Sequence, residues 1–181
     1  MRYLESAAEK LPESVADGSP DLQVESLTKS FGNGSRVLDD VSFVIPHGQA
    51  VALIGSNGSG KSTLLRCCLR LIEPDGGNIW LLGKNVSLLK ERALRGVRST
   101  VGFVFQRHNL VPRLEVLSNV IHGAQSRCSG PRTWLHALAP DRIRQEAMRC
   151  LDMVGLTRLA SQRVDQLSGG QSQRVAIARA L

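Results

Sequence analysis

Gly55-Ser56-Asn57-Gly58-Ser59-Gly60-Lys61-Ser62-Thr63 is the stretch on which the reading of this chain turns. The apolar run before it, Ala50-Val51-Ala52-Leu53-Ile54, reads as a buried strand. The segment after it, Leu64 to Ile72, has the apolar spacing of a helix. Strand, glycine-rich turn, Gly-Lys-Ser and helix together make a P-loop in its required setting. Glycines let the backbone curl until its N–H groups face one anion, and the following helix adds its positive end. Lys61 is then expected to reach the β- and γ-phosphates of a nucleotide, and the Ser62 hydroxyl to hold Mg²⁺. A glycine-rich turn with a solvated lysine would need neither flanking element. The stretch predicts a nucleoside-triphosphate site.

The rest of the composition bounds that reading. A chain of 181 residues is long enough for one domain with a real core. Aromatic residues make up only 4%, so the core has to be aliphatic. No apolar run approaches the ~20 residues that cross a bilayer, and residues 1–20 lack the pattern of a signal peptide. A cytosolic location is the expectation. The net charge of +7 is uneven, since residues 1–21 hold two basic and five acidic side chains. Nucleotide phosphates, a lipid surface or nucleic acid would each suit such a surplus. Cys67, Cys68, Cys128 and Cys150 form no C-x-x-C pair, and no histidine lies nearby at zinc spacing. Free thiols are expected, with Cys67 and Cys68 packed on the helix after the P-loop.

In chain order, residues 1–20 read as a flexible extension. Leu22–Leu27 alternates like a half-buried strand, and Val37–Leu38 with Val41–Ile45 gives a second strand region. Asn78–Gly83 should be another strand, so a small antiparallel sheet accompanies the nucleotide core. Leu88–Arg98 reads as a basic amphipathic helix and Val101–Phe105 as a short strand ending at Gln106. Helices follow at Val116–Ile121, Asp141–Val154 and Gly169–Leu181, with a loop or broken helix over Ser126–Pro140. There is no internal repeat and no low-complexity tract.

A P-loop alone admits many ATPases and GTPases. Leu167-Ser168-Gly169-Gly170-Gln171, followed by Ser172 to Leu181, narrows the choice. This stretch resembles the signature sequence of ATP-binding-cassette (ABC) ATPases. A serine and two glycines at a helix start offer a hydroxyl, backbone N–H groups and a dipole, a second anion cradle. The resemblance implies that this cradle closes on the γ-phosphate held by a partner copy's P-loop. It also implies that Phe31 stacks on adenine, although a core phenylalanine would fit the sequence too. Gln106 matches the family glutamine that touches Mg²⁺ or the attacking water, unless it is an ordinary polar strand end. Val101 to Val120 resembles phosphonate-importer ATP-binding subunits, and Thr133–Leu138 and Ala147–Gly155 continue the likeness. Arg107 and His108 depart from the glutamine and aromatic that commonly follow Gln106 in that group.

The resemblance implies an α/β P-loop NTPase: a RecA-like core, a small antiparallel β-subdomain and a helical subdomain at about 107–168, within residues 21–181. Family members continue past the signature helix into a strand ending in Asp-Glu and on to a switch histidine. This chain stops at Leu181. The expectation is a fold incomplete at its C-terminus that folds poorly alone and binds ATP without meaningful turnover. The implied partners are a second copy, two transmembrane permease subunits and, indirectly, a periplasmic or extracellular substrate-binding protein. The chain would then sit on the cytoplasmic face of the membrane. Two rivals have narrower support: a soluble ABC ATPase acting on nucleic acid, from the basic surplus alone, and a non-catalytic remnant, from the missing carboxylate.

Overall fold

A computed structural model of the chain describes residues 19–32, 34–106, 108–126 and 139–181. Most of the expected extension, Asn33, Arg107, Cys128 and Thr133–Leu138 lie outside the described residues, as does most of the loop expected over Ser126–Pro140. The chain divides into two compact units, one running to Val97 and one from Arg98.

The first unit is built on a four-stranded sheet in the order β2-β1-β3-β4. Its strands are β1 (Leu22–Phe31), β2 (Ser35–Ile45), β3 (Gly76–Leu81) and β4 (Lys84–Asn85). All of its pairings are antiparallel, with Leu22 opposite both Ile45 and Leu81. Bulges interrupt β1, where Ser26 has φ 46° and its N–H is taken by the Ser42 hydroxyl at 2.8 Å. Opposite that bulge Gly77 has φ +94°, and a Cβ there would lie 2.6 Å from the Glu25 and Ser26 carbonyl oxygens. Only glycine fits that crossing. Val24, Leu27, Ile79 and Val86 are fully buried and form the aliphatic centre that the composition requires.

Helix α1 (Lys61–Cys68) buries Leu64, Cys67 and Cys68. It ends four residues before the expected Ile72. Arg70 takes the left-handed region, φ 48°, and the Leu71 N–H turns back to the Arg66 carbonyl at 2.8 Å. The Arg70 guanidinium then reaches the carbonyls of Val86 (2.7 Å) and Leu89 (2.8 Å). The expected basic helix is also shorter, α2 (Glu91–Arg98), because Asn85 caps a separate 3₁₀ turn over Val86–Leu88. Leu94 and Val97 are its buried stripe.

The second unit is helical: α3 (Val116–Ile121), α4 (Asp141–Met153) and α5 (Gly169–Ala180). Its core joins Val116 and Ile121 to Ile143, Ala147 and Leu151 of α4 and to Val175 and Ala178 of α5. Cys150 and Val154, also expected on the apolar face of α4, are partly buried against that core.

Two expected strands do not form. Ala50–Ile54 and Val101–Phe105 have no strand structure, and no described segment pairs with either. An apolar run states a demand for burial, whereas a strand also needs a neighbour for its N–H and C=O groups. Without one, Val51 stays 59% exposed and Ile54 89%. Phe103 and Phe105 instead stack edge to face on each other, 4.6 Å between centroids.

Candidate functional site

The candidate cradle is assembled around Lys61. Its ammonium curls back over the loop and donates to the carbonyls of Gly55 (2.8 Å) and Ser56 (2.6 Å) and to the Ser59 hydroxyl (3.2 Å). The Ser59 N–H closes a turn onto the Ser56 carbonyl at 3.3 Å. Gly60 is the N-cap of α1 with φ 89° and ψ 0°, so no side chain caps the helix. A Cβ at Gly60 would lie 2.9 Å from the Val37 carbonyl oxygen, which seats the loop against β2. The first N–H groups of a helix have no partner within it. Here no capping side chain and no acid in the first turn competes for them. One cation and one bare helix start therefore share the same turn, the arrangement that attracts a polyanionic phosphate chain. Ser62 is exposed and Thr63 half-buried on that first turn; Asn57 and Gly58 are exposed at the tip.

The strap leading into the loop is fixed separately. Asp21 accepts from the His47 ring at 2.9 Å and from the Gly48 N–H at 2.9 Å, closing the turn after β2. These two bonds, His47 first, hold the Asp21 carboxyl below its ordinary value.

Phe31 ends β1 opposite Ser35, on the same hairpin whose Val37 meets Gly60. It is 44% exposed, so it is no core phenylalanine. The Lys29 ammonium lies 5.4 Å from the centre of its ring.

The remaining expected residues belong to the second unit. Ser168 is the N-cap of α5 in a capping box, its hydroxyl accepting from the Gln171 N–H (3.3 Å) while the Gln171 side chain accepts from the Ser168 N–H (2.8 Å). Part of the expected hydroxyl chemistry is thus committed to holding the helix start. Gly169 and Gly170 are exposed with open space where a Cβ would stand. Leu167 is half-buried against the helical core. The chain that delivers Ser168 is zipped to the entrance of α3, with Val116 N–H on the Gln162 carbonyl (2.9 Å) and Val164 N–H on that of Leu114 (3.1 Å).

Gln106 is exposed on a turn closed by the His108 N–H on the Phe105 carbonyl at 2.8 Å. Two residues that sequence reasoning missed hold the segment after it. Arg179 donates to the carbonyls of Asn109 (2.7 Å) and His108 (3.1 Å), both in the left-handed region. Asn119, 1% exposed, accepts from Val111 N–H (2.7 Å) and donates to the Val111 (3.1 Å) and Glu115 (3.1 Å) carbonyls. The signal was present, since an amide inside the apolar stripe Val116–Ile121 has to find such partners.

Two glycine-rich helix starts, one carrying a lysine, stand in an α/β chain. The sequence pattern of the ABC transporter family matches residues 38–181, and the chain belongs to that family. It is similar to the phosphonates import ATP-binding protein PhnC of Nitratidesulfovibrio vulgaris, 48% identical over 166 residues covering 92% of this chain. PhnC 2 of Synechococcus sp. is 46% identical over 160 residues. The chain spans 62% and 59% of those two proteins. Among solved structures, the dimeric bacterial ABC transporter cassette MJ0796 superposes with a TM-score of 0.77 at 35% identity, over 88% of this chain and 68% of that one. The post-hydrolysis form of that cassette bound to ADP and Pi gives 0.76.

Proposed function

We propose that the chain is the ATP-binding and ATP-hydrolysing subunit of an ABC importer, with phosphonates or a related oxyanion as cargo. One observation carries the nucleotide site: the Lys61 ammonium held inside a loop whose helix start has no side-chain cap. In this reading the N–H groups from Gly55 to Thr63 cradle the phosphates, Lys61 neutralises the β- and γ-phosphates and Phe31 stacks on adenine. Ser62 and Gln106 would hold Mg²⁺, which supplies charge neutralisation at the phosphates. The loop offers the oxygen-donor hydroxyl such a hard cation prefers. Leu167 to Gln171 serve a second copy's ATP, so nucleotide joins two cassettes.

The cargo assignment rests on the relatives that carry phosphonates import in their names. Two permease subunits, and a substrate-binding protein beyond them, complete the assembly at the cytoplasmic face of a membrane. No helix among the described residues is long and apolar enough to cross a membrane, which suits a peripheral subunit. Residues 21–181 constitute part of a cassette, its helical portion at about 107–168.

Equilibrium binding of MgATP to the full chain, followed by calorimetry, tests this reading. Lys61→Ala should weaken binding at least about tenfold, the loss of a charged hydrogen-bond donor to phosphate. A folded chain that binds no ATP, or an unchanged affinity in Lys61→Ala, would overturn it.

A further inference from the structure

Phe31 is not left to itself. Lys29 lies two positions earlier on β1, on the same side of the strand, and its ammonium is 5.4 Å from the ring centre. Its side chain is only 15% exposed, where a strand lysine would ordinarily carry its charge out to water. Asp75 draws it in, its Oδ1 accepting from Lys29 Nζ at 2.7 Å. The other carboxylate oxygen accepts from the Ser30 N–H at 2.6 Å, and the Asp75 N–H donates to the Thr28 carbonyl at 2.9 Å. Asp75 stands just past α1, the helix that the P-loop opens.

We propose that Lys29, held by Asp75, is a positioning residue that fixes the Phe31 ring as a base-stacking platform, one face covered by the ammonium and the other presented to the base. This rests on the nucleotide-binding reading above. With the carboxylate half-exposed and the ammonium largely covered, the pair fixes where the Lys29 charge sits relative to the ring. A ring already ordered loses less conformational freedom when a base arrives. The ammonium over a π-face supplies the ordering attraction.

Binding of MgATP and of inorganic tripolyphosphate to the full chain separates the two roles, because tripolyphosphate has no base. Phe31→Ala should weaken ATP about tenfold, the scale of lost base–aromatic stacking, and leave tripolyphosphate unchanged. Lys29→Met should weaken ATP about threefold, with tripolyphosphate again unchanged, and Lys29→Arg should restore most of the loss. GTP should fall by the same factor as ATP, since stacking reads no base edge. Equal losses for ATP and tripolyphosphate in Lys29→Met would mean damage to the fold and overturn the proposal. An unchanged ATP affinity in Lys29→Met, beside a weakened Phe31→Ala, would overturn it while sparing the platform. Unchanged ATP binding in Phe31→Ala would remove the platform itself. Should Lys29→Met not fold, Asp75→Asn removes the charge at nearly constant shape and must give the same selective loss.

Discussion

Cys68 and Asp75 sit at the two ends of one short connection and are pushed in opposite directions by their surroundings. Burial raises the Cys68 thiol to about 12 and also raises that of Cys67. At pH 8 a thiol with that value is ionised in roughly one molecule in ten thousand, and the thiolate is the nucleophile. Iodoacetamide at pH 8, mapped by mass spectrometry, should therefore leave both cysteines unmodified until denaturant is added. Labelling at the rate of a free thiol in the native chain would contradict their burial. Asp75 is lowered, first by its hydrogen bond to Lys29 and then by the Ser30 N–H; Asp21 is lowered in the same way by His47 and Gly48. A lowered carboxylate binds fewer protons folded than unfolded, so its stabilisation is complete above the ordinary value of about 4 and is lost as pH falls through the folded value. The urea midpoint should drop as pH falls below about 4, and Asp21→Asn with Asp75→Asn should flatten that limb. An identical slope in the double variant would show that other groups control it.

At the scale of elements, α5 depends on its first residue. Ser168 caps it and Gln171 returns the bond, so Ser168→Ala should cost about 1 kcal/mol, the usual worth of such a cap. Ser168→Asp keeps a capping oxygen and adds a negative charge. It should retain the thermal midpoint yet abolish nucleotide-dependent dimerisation, read by light scattering with and without MgATP. A dimer that survives the aspartate would detach this helix start from phosphate recognition. The capping box itself could be read in advance as Ser-x-x-Gln ahead of an apolar helix, and the extents of α3, α4 and α5 follow from stripes such as Ile143, Ala147 and Leu151. A stripe of that kind needs only neighbouring turns to be legible. Where α1 ends was not legible, because Arg70 adopts a left-handed conformation held by carbonyls 16 and 19 residues further on. The same holds for Ala50–Ile54 and Val101–Phe105, whose pattern names a strand while pairing depends on other chain segments. Lys29, Arg179 and Asn119 were missed for a related reason. Their roles are set by partners distant in sequence, and only the amide of Asn119 stood out against its apolar neighbours.

Among the described residues, each unit buries an apolar core while the run before the P-loop stays exposed. Residues 47–59 are exposed without a break, and between His47 and Lys61 the chain carries no charge. Val51, Leu53 and Ile54 lie in that window at 59%, 39% and 89% exposure. A short, uncharged, β-branched run with unpaired backbone is a template for pairing with another chain, and no gatekeeping charge protects it. What opposes association is the net charge of +7, which makes the molecules repel one another. That repulsion is screened over about 10 Å at 0.1 M salt and about 3 Å at 1 M, whereas the apolar attraction is not weakened by salt. Light scattering of the chain at fixed concentration should therefore rise with added sodium chloride. Val51→Lys, three residues clear of the loop, should suppress most of that rise and leave ATP affinity as it was. A chain that stays monodisperse at high salt would show the segment to be covered in solution. A Val51→Lys chain that aggregates as readily as the parent would place the contact elsewhere on the surface.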